Sequence, residues 1–85
     1  MNRRKLFERL VLGNLQNVAF RDFVHLVEGF GFTLLRTKGR HHIFGRSGVE
    51  ELVNIQDVGG QTKPYQIRQF LRLVERYNIG MEDES

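Results

Sequence analysis

Two apolar stripes of identical spacing, one on each side of a β-rich middle, constrain this chain more than any other feature. Phe20, Phe23, Val24 and Val27 recur at i, i+3, i+4 and i+7, and Ile67, Phe70, Leu71 and Val74 repeat that spacing. The period puts each set on one face of an α-helix. Leu26 and Phe30 widen the first stripe, and Tyr77 extends the second. Gly29 and Gly31 are available to end the first helix. Pro64 suits the first turn of the second, where its missing N–H costs nothing. Asn78 and Gly80 are stop signals. A shorter helix is expected over residues 3–12, with Leu6, Phe7, Leu10 and Val11 on one side and Gly13-Asn14 at its end. Leu15-Gln16-Asn17 reads as a polar link.

Between the stripes lie three extended segments. Residues 32–37 read as a strand, Lys38-Gly39 as a short turn, and residues 40–44 as the second strand of a hairpin. Residues 45–48 make a loop, and residues 51–55 a third, shorter strand. Residues 57–62, with Gly59-Gly60, are expected to be a flexible connection. The order is helix, helix, strand, strand, strand, helix. This predicts an α+β fold in which a three-stranded antiparallel sheet packs against helices, one domain over residues 1–80. Residues 81–85 form an acidic tail expected to fray. Two helices with one apolar stripe each cover only one sheet face. The other face stays open, and Leu35, which points away from Phe32 and Leu34, is a candidate docking point there.

Composition narrows the function classes. The chain has 85 residues, 40% of them hydrophobic, which suits one small soluble domain and leaves no room for a large cofactor cavity. With no cysteine, disulfides, thiolate zinc sites and a cysteine nucleophile are excluded. No apolar run approaches the ~18 residues a membrane span needs. The basic start, Met1 to Lys5, runs into the charged Glu8 and Arg9, so no export signal is read and the cytoplasm is the expected location. Net charge is +3, but three of the ten acids fall at Glu82, Asp83 and Glu84, leaving 13 bases against seven acids elsewhere. Arg36, Lys38, Arg40 and Arg46 lie close together in sequence, a pattern that favours an anionic partner such as nucleic acid.

The histidines are His25, His41 and His42. His25 falls between buried helix positions and is expected to face solvent without a role. His41 and His42 are neighbours on a strand, where successive side chains point to opposite faces. They cannot easily grip one metal together, no Asp or Glu completes a ligand set, and at most one of them is chemical. A lone histidine is a usable acid or base because its ordinary pKa is about 6.5. RNA brings its own nucleophile, the 2′-hydroxyl. Nearby Arg36, Lys38 and Arg40 would hold the phosphate. Gly39 would let a sugar-phosphate backbone approach. The parts need no cofactor and no metal. Spacing alone fits a histidine that merely packs or faces water better than it fits a catalyst. No Ser-His-Asp set, phosphate-binding glycine loop or carboxylate pair stands out.

The run Gly31-Phe32, then Lys38-Gly39-Arg40-His41-His42-Ile43-Phe44, resembles the signature of the HicA mRNA interferase toxins. The stretches 52–56 and 60–69, the latter at the start of the last helix, are similar to the same family. The likeness covers roughly residues 18–79, and residues 5–9 resemble a longer subgroup. The resemblance implies a double-stranded-RNA-binding-domain-like fold, an endoribonuclease activity on mRNA and neutralisation by a HicB-type antitoxin. It maps the family's catalytic histidine onto His41, beside the RNA-binding positions expected from the basic hairpin itself: Lys38, Gly39 and Arg40, with Arg36 a weaker candidate. The motif reads Gly-Arg-His here rather than Gly-Ser-His, so Arg40 adds charge where the family has a hydroxyl. Two other classes remain open at this point: a non-catalytic RNA-binding module and a pure interaction protein. An antitoxin would either cover the hairpin around His41 or cap an edge strand.

Overall fold

The computed structural model describes residues 2–82. Helix α1 spans Arg3–Val11, and the Asn2 side chain starts it by accepting from the Arg4 and Lys5 N–H groups at 2.8 and 3.2 Å. A two-residue strand, β1 (Val18–Ala19), leads directly into α2 (Phe20–Gly29). Strands β2 (Thr33–Lys38), β3 (His41–Arg46) and β4 (Val49–Gln56) form the antiparallel meander β2-β3-β4. After β5 (Gln61–Thr62), helix α3 runs Pro64–Arg76. The α+β layout expected from the helical stripes and the strand run is the one observed.

One sheet face carries the core. Phe44, Val53 and Ile55 point into it and meet Phe23, Leu26 and Val27 of α2 and Ile67 and Phe70 of α3, all buried. Phe70 stands edge-on to Phe23, Phe30 and Phe32, with ring centroids 5.6 Å apart in each pair. Each such pair adds about 0.5–1.5 kcal/mol to the burial term. Leu6 and Leu10 of α1 close the core, and Phe7 packs on Phe30 at 5.1 Å. Helix α3 is tied to β4 by the Gln66 side chain, whose Oε1 accepts the Gln56 N–H at 2.9 Å. Its end is a Schellman closure: Asn78 takes φ +52°, and the Asn78 and Ile79 N–H groups reach back to Glu75 and Val74.

Four expectations change. The third strand is the longest rather than the shortest, because the reversal before it is a two-residue turn at Ser47-Gly48 and Arg46 already pairs with Val49. The hairpin turn is Gly39-Arg40, not Lys38-Gly39, since Lys38 pairs with His41. Gly39 has φ +59° at the first turn position, the conformation a tight hairpin of this hand requires. Residues 57–62 are ordered. Gly59 and Gly60, both at positive φ, turn the chain so that Gln61-Thr62 pairs with Val18-Ala19, and the Asp57 side chain accepts the Gly60 N–H at 2.7 Å. Leu15 in the supposed polar link is core, only 7% exposed.

The tail expected to fray from residue 81 is held as far as Glu82. The Glu82 N–H donates to the Gly29 carbonyl, and its carboxylate meets Arg46 at 3.2 Å. The rest of that tail, residues 83–85, lies outside the described residues.

At the far edge, Glu51 accepts hydrogen bonds from Tyr77, at 2.8 Å, and from Arg76. The Tyr77 hydroxyl first, and Arg76 second, hold the Glu51 carboxyl below its ordinary value of 4.5. A depressed folded-state pKa stabilises the fold above the unfolded value and loses that contribution as pH falls through the folded value. Denaturant midpoints are therefore expected to drop below about pH 4.5, and Glu51→Gln should flatten that drop. An unchanged acid limb in the variant would show that Glu51 does not couple protonation to folding.

Candidate active site

The open sheet face is assembled by register. Lys38, His41 and Gln56 lie opposite one another across the three strands, and Arg36, Ile43 and Asn54 form the next row. A β-bulge makes this possible. Pairing slips between Leu34 and Arg36, so Leu34 stays with Phe44 on the helix side while Arg36 and Lys38 turn to the other face. Strict alternation along β2 would have left Arg36 and Lys38 on the face of Leu34. The extra residue re-aims two cations toward His41.

His41 is exposed at the first position of β3, next to the turn. Its Nδ1 lies 3.1 Å from Asn54 Oδ1. An amide oxygen only accepts, so Nδ1 carries the proton of the neutral ring. The lone pair then sits on Nε2, which is the nitrogen left for a substrate. At the hairpin tip, a Cβ on Gly39 would meet no heavy atom within 4 Å, so a bulky ligand can come up to it. Arg40 occupies the turn beside it.

The structure thus brings together His41, Lys38, Arg36, Gly39 and Arg40. It does not include Arg46, whose Nε donates to the Phe30 carbonyl at 2.8 Å and whose guanidinium pairs with Glu82. Arg46 closes β3, roughly 17 Å from His41 at about 3.3 Å per residue. His42 points to the helix face, its ring 4.7 Å from that of Phe20 and its Nδ1 3.3 Å from the Arg40 carbonyl. His25 is exposed on α2. Asn54 and Gln56 share this face with His41, and the reading of single segments passed over both. The polar-apolar alternation Val53-Asn54-Ile55-Gln56 could have found them, since it sends both amides to the face opposite the core. Among the described residues, no three of His, Cys, Asp and Glu gather as a metal would need.

A base or acid with a directed lone pair, flanked by cations on an open surface, is equipped to act on a phosphodiester. Comparison with protein-family models gives a match to the HicA toxin of bacterial toxin–antitoxin systems over residues 20–75, from the start of α2 almost to the end of α3. The chain belongs to the HicA toxin family. It is therefore the toxin partner of a toxin–antitoxin pair, in a family of RNases that act in general on mRNA. Comparison with curated proteins and with solved structures returns no match. Helix α1 and strand β1 precede the matched region of this HicA-family chain. No helix among the described residues is long and apolar enough to cross a membrane.

Proposed function

We propose that this HicA-family chain is an endoribonuclease that cleaves mRNA by metal-free acid–base chemistry through His41. The supporting observation is the ring of His41, exposed and fixed through Nδ1 by Asn54, on the face to which the bulge turns Arg36 and Lys38. The neutral imidazole takes the 2′-hydroxyl proton on Nε2 as that oxygen attacks phosphorus. The bond to the 5′ oxygen breaks, and the leaving oxygen takes a proton from water. The products are a 2′,3′-cyclic phosphate and a 5′-hydroxyl. Lys38 and Arg40 bind the phosphate, with Arg36 behind them, and they stabilise the charge that builds on its oxygens.

The purified protein should cut RNA in excess EDTA and leave 5′-hydroxyl ends. Salt-sensitive RNA binding without strand scission would reduce the chain to a binding module and refute the catalytic reading.

Asn54 acts through His41 and is a positioning residue. Asn54→Leu frees the ring to rotate and to protonate on either nitrogen. The expected loss in kcat is about tenfold to a hundredfold, the scale seen when an outer partner of a functional histidine is removed. KM should hardly move, and Asn54→Asp should shift the pH profile of kcat upward, because a carboxylate favours the charged ring. An Asn54→Leu enzyme with unaltered kcat and pH profile would remove Asn54 from the site.

The same face suggests how a HicB-type antitoxin acts. Leu35 and Leu52 are each more than half exposed and sit together over Gly45, where a Cβ would meet them at 2.8 and 3.3 Å. A protein that covers this apolar pair also screens His41. This favours occlusion of the active face over capping of an edge strand.

A further inference from the structure

Behind the hairpin, on the sheet face that His41 does not use, a groove of about 450 Å³ opens between α2 and strands β2 and β3. Phe20, Leu34 and Phe44 give it apolar walls, His25, Glu28 and His42 bring polar atoms to it, and Arg21 and Asp22 stand at its side. His25 and Glu28 are three apart, on one exposed side of α2. The size, the aromatic walls and the few polar groups are those of a site for a small planar ligand.

The groove is placed close to the proposed chemistry. His42 and His41 are consecutive, with Cα atoms about 3.8 Å apart. Strand β3 therefore offers a proton-transfer group to one face and an aromatic ring to the other at the same height. The His42 Nδ1 is directed at the Arg40 carbonyl, 3.3 Å away, which leaves Nε2 as a hydrogen-bonding atom. The turn Gly39-Arg40 lies between the two faces, and its open surface lets one chain pass from front to back.

We propose that this groove takes an unstacked nucleobase of the RNA strand that His41 cleaves, and that Glu28 favours bases carrying an exocyclic amino group. This rests on the reading that the chain acts on RNA. Splayed single-stranded bases are held by aromatic faces such as those of Phe and His and are read along their edges. A carboxylate accepts from the amino groups of adenine, cytosine and guanine. Uracil offers a carboxylate only its N3–H, flanked by two carbonyl oxygens that repel it, so the groove holds uracil more weakly.

The test uses His41→Ala protein, which leaves RNA intact, followed by NMR. AMP, CMP and GMP should shift Leu34, His42 and Phe44, and UMP should bind about fivefold more weakly or worse. Glu28→Ala, an exposed change that removes the acceptor and leaves the core alone, should abolish that difference. A tetranucleotide RNA should shift the groove together with Lys38 and Arg40. If the tetranucleotide shifts the hairpin and leaves the groove silent, the groove proposal falls and the His41 reading survives. If free monophosphates bind there and the tetranucleotide does not, the groove belongs to free nucleotides and the proposal again falls. If the tetranucleotide shifts neither face, the RNA reading itself fails. Unaltered base preference in Glu28→Ala removes the role given to that carboxylate.

Discussion

Replacing His41 by alanine is expected to lower kcat for RNA cleavage by about 10²- to 10⁴-fold, the range that a positioned general base supplies. The protein should fold as before. His41 is exposed, and its one side-chain hydrogen bond runs to another surface group, Asn54. RNA affinity should also hold, because Lys38, Arg36 and Arg40 remain in place. Lys38→Ala gives the opposite pattern: weaker binding on every sequence and a salt slope smaller by about one. His42→Ala separates the two faces of β3. Its ring packs on Phe20 and does not look toward Lys38, so the chemical step should survive its loss. Single-turnover rates on a labelled RNA decide the matter. A dead His42→Ala beside an active His41→Ala would move the chemistry to the helix side of the sheet.

Phe70→Ala is expected to destabilise the domain by about 3–5 kcal/mol, the usual cost of removing a fully buried ring. Phe70 is 2% exposed and is the one ring that contacts Phe23, Phe30 and Phe32 together. It joins α3 to α2 and to the segment that enters the sheet. Small domains have only about 5–15 kcal/mol in all, so the variant should populate unfolded chains well before wild type in urea. Leu35→Ala gives the contrast. Leu35 is 57% exposed on the open face, and its loss should fall within about 0.5 kcal/mol. Equal urea midpoints for Phe70→Ala and wild type would mean that the aromatic cluster does not hold the helices to the sheet.

What could be read without coordinates was whatever a local period carries. The stripes Phe20 to Val27 and Ile67 to Val74 marked two helix faces: Phe23, Val27, Ile67, Phe70 and Val74 are buried, and Phe20, Val24 and Leu71 are partly buried beside them. The opposite orientation of His41 and His42 followed from strand alternation and is found. What escaped depends on pairing between distant segments. The β1–β5 ribbon joins Val18 to Thr62, and neither two-residue piece has a pattern of its own. The bulge at Leu35 is a property of the β2–β3 ladder, so the side to which Arg36 points could not be read from β2 alone. Asn54 reaches His41 across 13 residues of chain. Arg46 was grouped with the basic hairpin by proximity in sequence, but strand geometry carried it to the far end, where Phe30 and Glu82 take up its donors.

In the proposed reaction the ribose of the RNA supplies the nucleophile and His41 takes its proton. A synthetic RNA with one 2′-deoxy nucleotide on the 5′ side of a mapped cut tests this directly. Cleavage should vanish at that bond and persist at every unmodified site. Continued cutting at the modified bond would show that water attacks instead, and would contradict the mechanism assigned to His41.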